Sequence, residues 1–306
     1  VVLISRTYHL MPKVEKGTFV AWQWQPLQSV LKFSLSIAFT SVVWILVTQT
    51  DKLILSKLLP LSVYAYFTLA VLLASGVTIL SSPISLALYP RMARLNAEGN
   101  EKSLIRLYRN ATQLIAVITI PAALVLAFFA KQVLWAWTGN SVIADNASPA
   151  LTLYALGNGV LALGSFPYYL QWAKGDLKLH VIGNALFLVL LIPTLVWATI
   201  QYGVIGAGYT WLGLNSAYFL FWIPLVHKRF VKGLHKRWLL NDVTDIVLIS
   251  CFFTAFAHQW IQWPTDRISV ALLLLAFWGL LVITAGMASS YLRGIMRTRC
   301  KTLFFS

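Results

Sequence analysis

The sequence contains few charged residues, and few of those are acidic. Of its 306 residues, 11% are charged and only nine are Asp or Glu. Soluble domains carry about 25% charged residues. The chain is 59% hydrophobic, with a mean hydropathy of +0.75. A soluble protein of this length could not bury so much apolar surface in its core. We therefore expect lipid, rather than water, to surround most of the chain.

Several patterns that would indicate catalysis or metal binding are also missing. The two cysteines, Cys251 and Cys300, form neither a disulfide framework nor a Cys-x-x-Cys site. The sequence has no His-Glu-x-x-His motif, no glycine-rich phosphate loop and no recognisable Ser/His/Asp set. We expect neither a metal nor an organic cofactor.

Eight apolar segments are each long enough to cross a membrane. A helix needs about 20 residues to span the hydrocarbon core, and lipid cannot satisfy the backbone of any open, non-helical segment. The predicted spans are 29–58, 61–90, 104–131, 149–173, 178–200, 204–227, 243–262 and 267–291. The fold class predicted is all-α: a polytopic membrane helix bundle with about eight transmembrane helices.

Positive charge is distributed unevenly between the two sides of these spans. Of the 24 Lys and Arg residues, 20 fall on one side, and only Lys52, Lys57, Lys131 and Arg267 fall on the other. The positive-inside rule then predicts a multi-pass protein with both ends of this chain in the cytoplasm. In a soluble protein a net charge of +15 would indicate nucleic acid. Here the basic residues lie between apolar spans, so we expect anionic lipid headgroups as partners and no nucleic acid.

The first span carries two adjacent charged residues, Asp51 and Lys52, in the stretch TQTDKLILSKLLP. Neighbours in a helix lie about 100° apart, so the two cannot form a self-contained ion pair. Lys52 can extend towards the interface, whereas Asp51 needs a partner from another helix, water or a substrate. An ionisable residue within a membrane is a candidate functional residue. A structural role for Asp51 stays open beside that interpretation.

Spans four to six carry aromatic and amide side chains at helical spacing. Rings can stack on the apolar faces of sugars while amides bond their hydroxyls. Alternatively, such residues hold membrane helices together, and His180 is interpreted as an interfacial residue. The candidates for the substrate path, with Asp51 and Lys52, are Tyr154, Asn158, Tyr169, Asn184, Asn215 and Tyr218.

Three stretches together resemble one family of membrane proteins. They begin TDKLILSKLLPLSVYAYFTLA, SSPISLALYPRMARLNAEGN and LYALGNGVLALGSFPYYLQWAKGD. They resemble the O-antigen-type polysaccharide biosynthesis proteins, or oligosaccharide flippases, of the multidrug, oligosaccharidyl-lipid and polysaccharide export superfamily. The resemblance extends over about residues 29–240.

The resemblance implies a domain organisation. Members have twelve or more helices in two six-helix lobes around a central cavity. Residues 1–28 would then be a cytoplasmic lead-in, containing the end of a preceding helix and a linker, and 29–240 the second lobe. Residues 241–306 would be two additional helices and a basic tail. The chain would be the C-terminal portion of such a protein.

The resemblance also implies a function in the bacterial plasma membrane. A polyprenyl-pyrophosphate-linked oligosaccharide would be flipped to the outer leaflet by alternating access, for O-antigen and lipopolysaccharide synthesis, with polysaccharide assembly proteins considered as further partners. Coupling to a proton or sodium gradient stays open. Four arginines could attract the pyrophosphate, although the positive-inside rule and anionic lipid also explain them. They are Arg91, Arg94, Arg106 and Arg109.

Two alternative functions are considered. The first is an ion-coupled multidrug exporter of the same superfamily, which would depend on a titrating membrane carboxylate, with Asp51 as the candidate. The second is a membrane enzyme of glycan assembly, such as a polymerase. An enzyme would need acids and bases gathered beside its substrate. The longest external connection, 132–148, carries Asp145 as its only charged residue.

Overall fold

The computed structural model describes residues 24–296, without the side chains of residues 25, 26, 29, 32, 33 and 36. Two compact units divide the chain, Val1–Ala38 and Phe39–Ser306. The first unit is helical over 24–38, and the second contains the rest of the described chain. The predicted end of a preceding helix, at residues 1–12, and the basic tail after residue 296 lie outside the described residues.

The described residues are almost entirely helical. The longer helices are α1 (Trp24–Leu58), α2 (Leu61–Ala97), α3 (Glu101–Phe128), α5 (Ser141–Gly164), α7 (Lys178–Ala217), α10 (Asp245–Trp260) and α11 (Arg267–Ala288). Between them lie α4 (Ala130–Thr138), α6 (Phe166–Ala173), α8 (Ile223–Phe230) and α9 (Leu234–Trp238). Two π-helical segments, Tyr218–Trp222 and Leu239–Thr244, join α7 to α8 and α9 to α10. Residues 290–296 form a final short helix.

Seven helical segments of the described part are long and apolar enough to cross a membrane. The all-α polytopic bundle predicted from hydropathy is thereby confirmed, and the protein is a multi-pass membrane protein.

The longest of these segments, Lys178–Phe230, contains a reversal of the chain. Gly203 has φ 59° and ψ −140°, outside the helical region and readily available only to glycine. The Thr210 hydroxyl lies 3.5 Å from the Thr194 carbonyl oxygen, whereas a straight helix would separate these residues by about 24 Å. The segment therefore contributes two antiparallel crossings, as the predicted spans 178–200 and 204–227 require.

Helix α5 lies at the centre of the bundle, where it packs against α2, α3, α4 and α7. Close packing requires a small residue where α5 meets the second half of α7. A Cβ atom placed on Gly157 would overlap the Trp211 indole ring. The contact with Trp211 explains why a glycine occurs in the middle of this span. Elsewhere within a helix, glycine lowers stability by about 0.5–1 kcal/mol relative to alanine.

The two C-terminal helices, α10 and α11, pack against α3. Asp242, just before α10, accepts hydrogen bonds from Arg109 and Gln113 of α3. The Gln113 carbonyl oxygen in turn accepts from Ser289, just after α11. The domain boundary predicted at 240/241 falls within the π-helical segment that contains Asp242, and it stays a prediction.

Ion pairs identify the two ends of the bundle. At one end, Lys174 bonds Glu101 over 3.0 Å, which brings the α6–α7 connection to the start of α3. We call this the basic end. At the opposite end, Lys131 pairs with Asp145, and Arg267 donates to the backbone carbonyl of Ala136.

Candidate functional site

A cavity of about 500 Å³ lies among α1, α2, α5, α6 and α7. None of the described residues that line it is Asp, Glu, Lys or Arg. Its polar groups are hydroxyls, two carboxamides and one imidazole, and its apolar surface includes several aromatic rings. An uncharged wall of this kind suits a neutral, hydroxyl-rich ligand better than an isolated anion or cation.

Hydroxyl groups cover the α2 wall of the cavity, where Ser81 and Ser82 precede Pro83 and Ser85 follows it. Tyr169 of α6 donates to the Ser85 hydroxyl over 2.8 Å. Ser85 in turn donates to the Ser81 carbonyl over 2.9 Å. The first bond connects α6 to α2, and the second, within α2, orients the Ser85 hydroxyl at the cavity wall.

The carboxamides of Asn184 and Asn215 lie on the two antiparallel parts of α7. The Asn215 amide donates to the Trp211 carbonyl over 2.8 Å, and the Asn184 amide is 3.0 Å from Nε2 of His180. Each amide nitrogen thus has one partner, and no described residue donates to either amide oxygen. Two acceptors therefore remain for a ligand hydroxyl.

Aromatic rings complete the lining. Tyr89 packs edge-on against Tyr169 at a centroid distance of 4.8 Å, and Tyr168 lies against the His180 ring at 4.2 Å. Tyr218 begins the π-helical segment before Pro224, and such segments often occur at functional sites. Sugar rings can stack on faces of this kind while their hydroxyls bond the neighbouring amides and serines.

A polar layer lies behind the cavity wall. The Tyr154 hydroxyl donates to Oδ2 of Asp51 over 3.0 Å, and its ring stacks on Trp211, with centroids 5.8 Å apart. The Trp211 indole donates to Asn158 over 2.9 Å, and Asn158 donates to the Ala74 carbonyl over 2.8 Å. Only Trp211 of this layer lines the cavity.

The structure therefore separates the predicted residues into two groups. Tyr169, Asn184, Asn215 and Tyr218 line the cavity together. The other four (Asp51, Lys52, Tyr154 and Asn158) do not line it. Asp51 is buried, and of the three partners considered for it (another helix, water or a substrate) the structure supplies one from another helix, Tyr154. The Lys52 ammonium bonds Gln49, three residues earlier.

The four predicted arginines also have different surroundings. Arg109 forms a double hydrogen bond to buried Asp242, at 2.6 and 2.9 Å. Arg94 pairs with Glu98 one turn later on the exposed surface. Arg91 and Arg106 have no ion-pair partner among the described residues. A role of any of them towards pyrophosphate stays a prediction.

Several lining residues were not singled out from the sequence. They include Ser81, Ser82, Ser85, Tyr89, Tyr168 and His180. The interpretation of His180 as an interfacial residue stays a prediction. The run TILSSPIS was the available signal, because it places three serines around a proline in the middle of an otherwise apolar span. Which face of α2 meets the cavity depends on tertiary packing.

Comparison with known proteins agrees with the resemblance found in the sequence. Residues 4–141, just under half of the chain, match the model of a family described as polysaccharide biosynthesis protein. No curated protein and no solved structure matches the chain significantly. The match supports a polysaccharide biosynthesis protein of the flippase type.

Proposed function

We propose that this chain is a polysaccharide biosynthesis protein of the flippase type, and that it translocates a polyprenyl-pyrophosphate-linked oligosaccharide from the cytoplasmic to the outer leaflet by alternating access. The observation that carries the proposal is the uncharged cavity lined by aromatic rings, hydroxyls and carboxamides. A glycan crossing the membrane must exchange its hydrogen bonds with water for bonds with protein. The cavity supplies such groups within helices that otherwise present apolar surfaces.

The proposed orientation puts the basic end in the cytoplasm of a bacterial plasma membrane. The excess of Lys and Arg in the connections at that end supports it. The glycan would enter from the basic end and leave at the end where Lys131 pairs with Asp145. O-antigen and lipopolysaccharide synthesis are proposed as the pathways that use this step. Polysaccharide assembly proteins are proposed as partners.

Coupling to a proton or sodium gradient is proposed to act through Asp51. Its carboxylate contacts Tyr154, and the Tyr154 ring stacks on Trp211 in the cavity wall. A change in the charge of Asp51 would thus alter a contact that supports the wall, without Asp51 touching the glycan.

The two alternatives have less support from the site. An ion-coupled multidrug exporter could use Asp51 in the same way, but a cavity wall rich in hydroxyls and carboxamides, with no Asp or Glu among its described lining residues, suits a glycan better than a drug. An enzyme of glycan assembly would need paired acid and base groups. His180 is the one imidazole among the described lining residues, and its Nε2 contacts Asn184 rather than a carboxylate or nucleophile.

The leaflet in which the lipid-linked oligosaccharide accumulates tests the proposal. The protein is depleted in its host, and spheroplasts are treated with a membrane-impermeant glycan-oxidising reagent. We expect oligosaccharide units to accumulate in a protected, cytoplasm-facing pool. Accumulation of accessible, unpolymerised units would support a polymerase instead. Unchanged glycan with loss of drug resistance would support the multidrug exporter.

A further inference from the structure

A second, separate cavity of about 380 Å³ lies at the basic end, between α3 and the chain that follows α11. We call it the basic cleft. None of its lining residues lines the larger cavity. Its lining residues are Lys102, Ile105, Arg106, Arg109, Asn110, Gln113, Ser290 and Tyr291.

The basic cleft contains positive charge that the protein itself does not neutralise. Arg109 is paired with Asp242, but Lys102 and Arg106 have no ion-pair partner among the described residues, and both are exposed. Lys102, Arg106 and Asn110 are spaced four residues apart, so they follow one face of α3. An ammonium, a guanidinium and a carboxamide therefore lie along the same wall.

The opposite wall of the basic cleft is held in place by Gln113. Its carbonyl oxygen accepts from the Ser289 hydroxyl at 2.7 Å, from the Ser290 hydroxyl at 3.2 Å and from the Tyr291 backbone N–H at 2.9 Å. Its amide donates to buried Asp242 over 2.7 Å. Because Gln113 is itself buried, these bonds fix the chain after α11 against α3 before any ligand binds.

We propose that the basic cleft binds a phosphate group carried by a lipid at the membrane surface. Guanidinium and ammonium groups form charge-assisted hydrogen bonds with phosphate oxygens, and the Asn110 amide adds an uncharged donor. Two lipids can supply this chemistry: an anionic phospholipid with a phosphodiester, and a pyrophosphate-linked lipid. Binding at the basic cleft is measured separately from transport. The binding proposal can therefore fail while the proposed translocation holds, and translocation can fail while binding holds.

The test uses the purified full chain in detergent, titrated separately with short-chain phosphatidylglycerol and with inorganic pyrophosphate. The variant Lys102→Gln/Arg106→Gln removes both unpaired charges. Lys228→Gln/Lys232→Gln is the matched control, because it removes two exposed charges, also four residues apart, from another connection at the basic end. Thermal unfolding of each variant establishes that the fold is retained.

We expect Lys102→Gln/Arg106→Gln to bind phosphatidylglycerol or pyrophosphate roughly 30-fold more weakly. Each basic side chain contributes about 1 kcal/mol to phosphate binding, and about 1.4 kcal/mol corresponds to a tenfold change in affinity. The control should bind like the unmodified protein. A selective loss for phosphatidylglycerol identifies a phosphodiester headgroup, one for pyrophosphate identifies the pyrophosphate group that the lipid-linked oligosaccharide carries, and a loss for both supports a site for either phosphate group. Equal losses in both variants, or no loss with either ligand, would overturn the proposal.

Discussion

The Tyr154 hydroxyl donates a 3.0 Å hydrogen bond to the buried carboxylate of Asp51, across the interface between α1 and α5. The bond gives the membrane carboxylate a partner. It also allows a structural role of Asp51 to be separated from a functional one, because an asparagine of nearly the same shape keeps one acceptor oxygen for Tyr154 while it removes the charge.

We therefore expect Asp51→Asn to retain thermal stability and membrane insertion while impairing glycan export. Asp145→Asn is the control, because it removes an acid that is exposed at the opposite end of the bundle from the basic end. Tyr154→Phe removes the donor and should lower the free energy of unfolding by about 1–3 kcal/mol. Export by Asp51→Asn at the unmodified rate would leave Asp51 with a structural role alone.

The interaction of Arg109 and Gln113 with Asp242 yields a stability prediction. Asp242→Ala leaves a half-buried guanidinium and a buried amide without their shared acceptor. We expect it to lower the unfolding free energy by at least about 2 kcal/mol, since hydrogen bonds to charged groups contribute about 1.5–3 kcal/mol.

Glu98→Ala provides the comparison, because the pair that Glu98 forms with Arg94 is exposed. Such pairs contribute about 0–1 kcal/mol. Thermal or denaturant unfolding in detergent measures both variants. Similar losses for Asp242→Ala and Glu98→Ala would show that α10 does not depend on this buried contact.

The reversal at Gly203 predicts a cost for any side chain there. Alanine is strained at φ 59° and ψ −140°, although a Cβ atom would meet no neighbour. We expect Gly203→Ala to destabilise the protein by about 1–3 kcal/mol. Gly279→Ala, in open space within α11 and without a positive φ, should be neutral or slightly stabilising. The strain account is wrong if both variants unfold alike.

The turns between helices should lie on alternating sides of the membrane. Glycines with positive φ occur at residues 99, 139, 175, 203 and 233. Single cysteines introduced at the residue next to each of these glycines, in a protein whose own cysteines are replaced, should be accessible to a membrane-impermeant thiol reagent from alternate sides of the membrane. Positions 139 and 203 are expected on one side and 99, 175 and 233 on the other. Labelling of 203 with the second group would contradict the helix hairpin.

The fold was largely predictable from the sequence, because hydropathy and span length depend on residue type alone. Spans 178–200 and 204–227 were separated correctly by a polar break that contains Gly203, even though their helices adjoin almost without a loop. The π-helical segments were not predicted. In these segments the backbone hydrogen bonds join residues five apart instead of four. This change depends on packing against other helices, which residue type alone does not give.

The candidate site was only partly predictable. Amides and tyrosines at helical spacing indicated α5, α6 and α7, and Tyr169, Asn184, Asn215 and Tyr218 do line one cavity. Tyr154 and Asn158 share the spacing but lie behind the wall, because Gly157 lets Trp211 come between them and the cavity. The spacing of residues along one helix cannot show whether a side chain from a neighbouring helix separates them from a cavity.

The central claim is that the uncharged cavity carries the glycan, and Asn215→Leu tests it most directly. Asn146→Leu is a matched control, because Asn146 donates the same kind of bond, to the carbonyl four residues earlier at 2.8 Å, but lies outside the cavity. Translocation of a fluorescent lipid-linked oligosaccharide is measured in proteoliposomes that contain the intact gene product. We expect translocation to fall at least about tenfold with Asn215→Leu, equivalent to the roughly 1.4 kcal/mol of one hydrogen bond, and to be unchanged with Asn146→Leu. Equal translocation by the two variants would contradict the account.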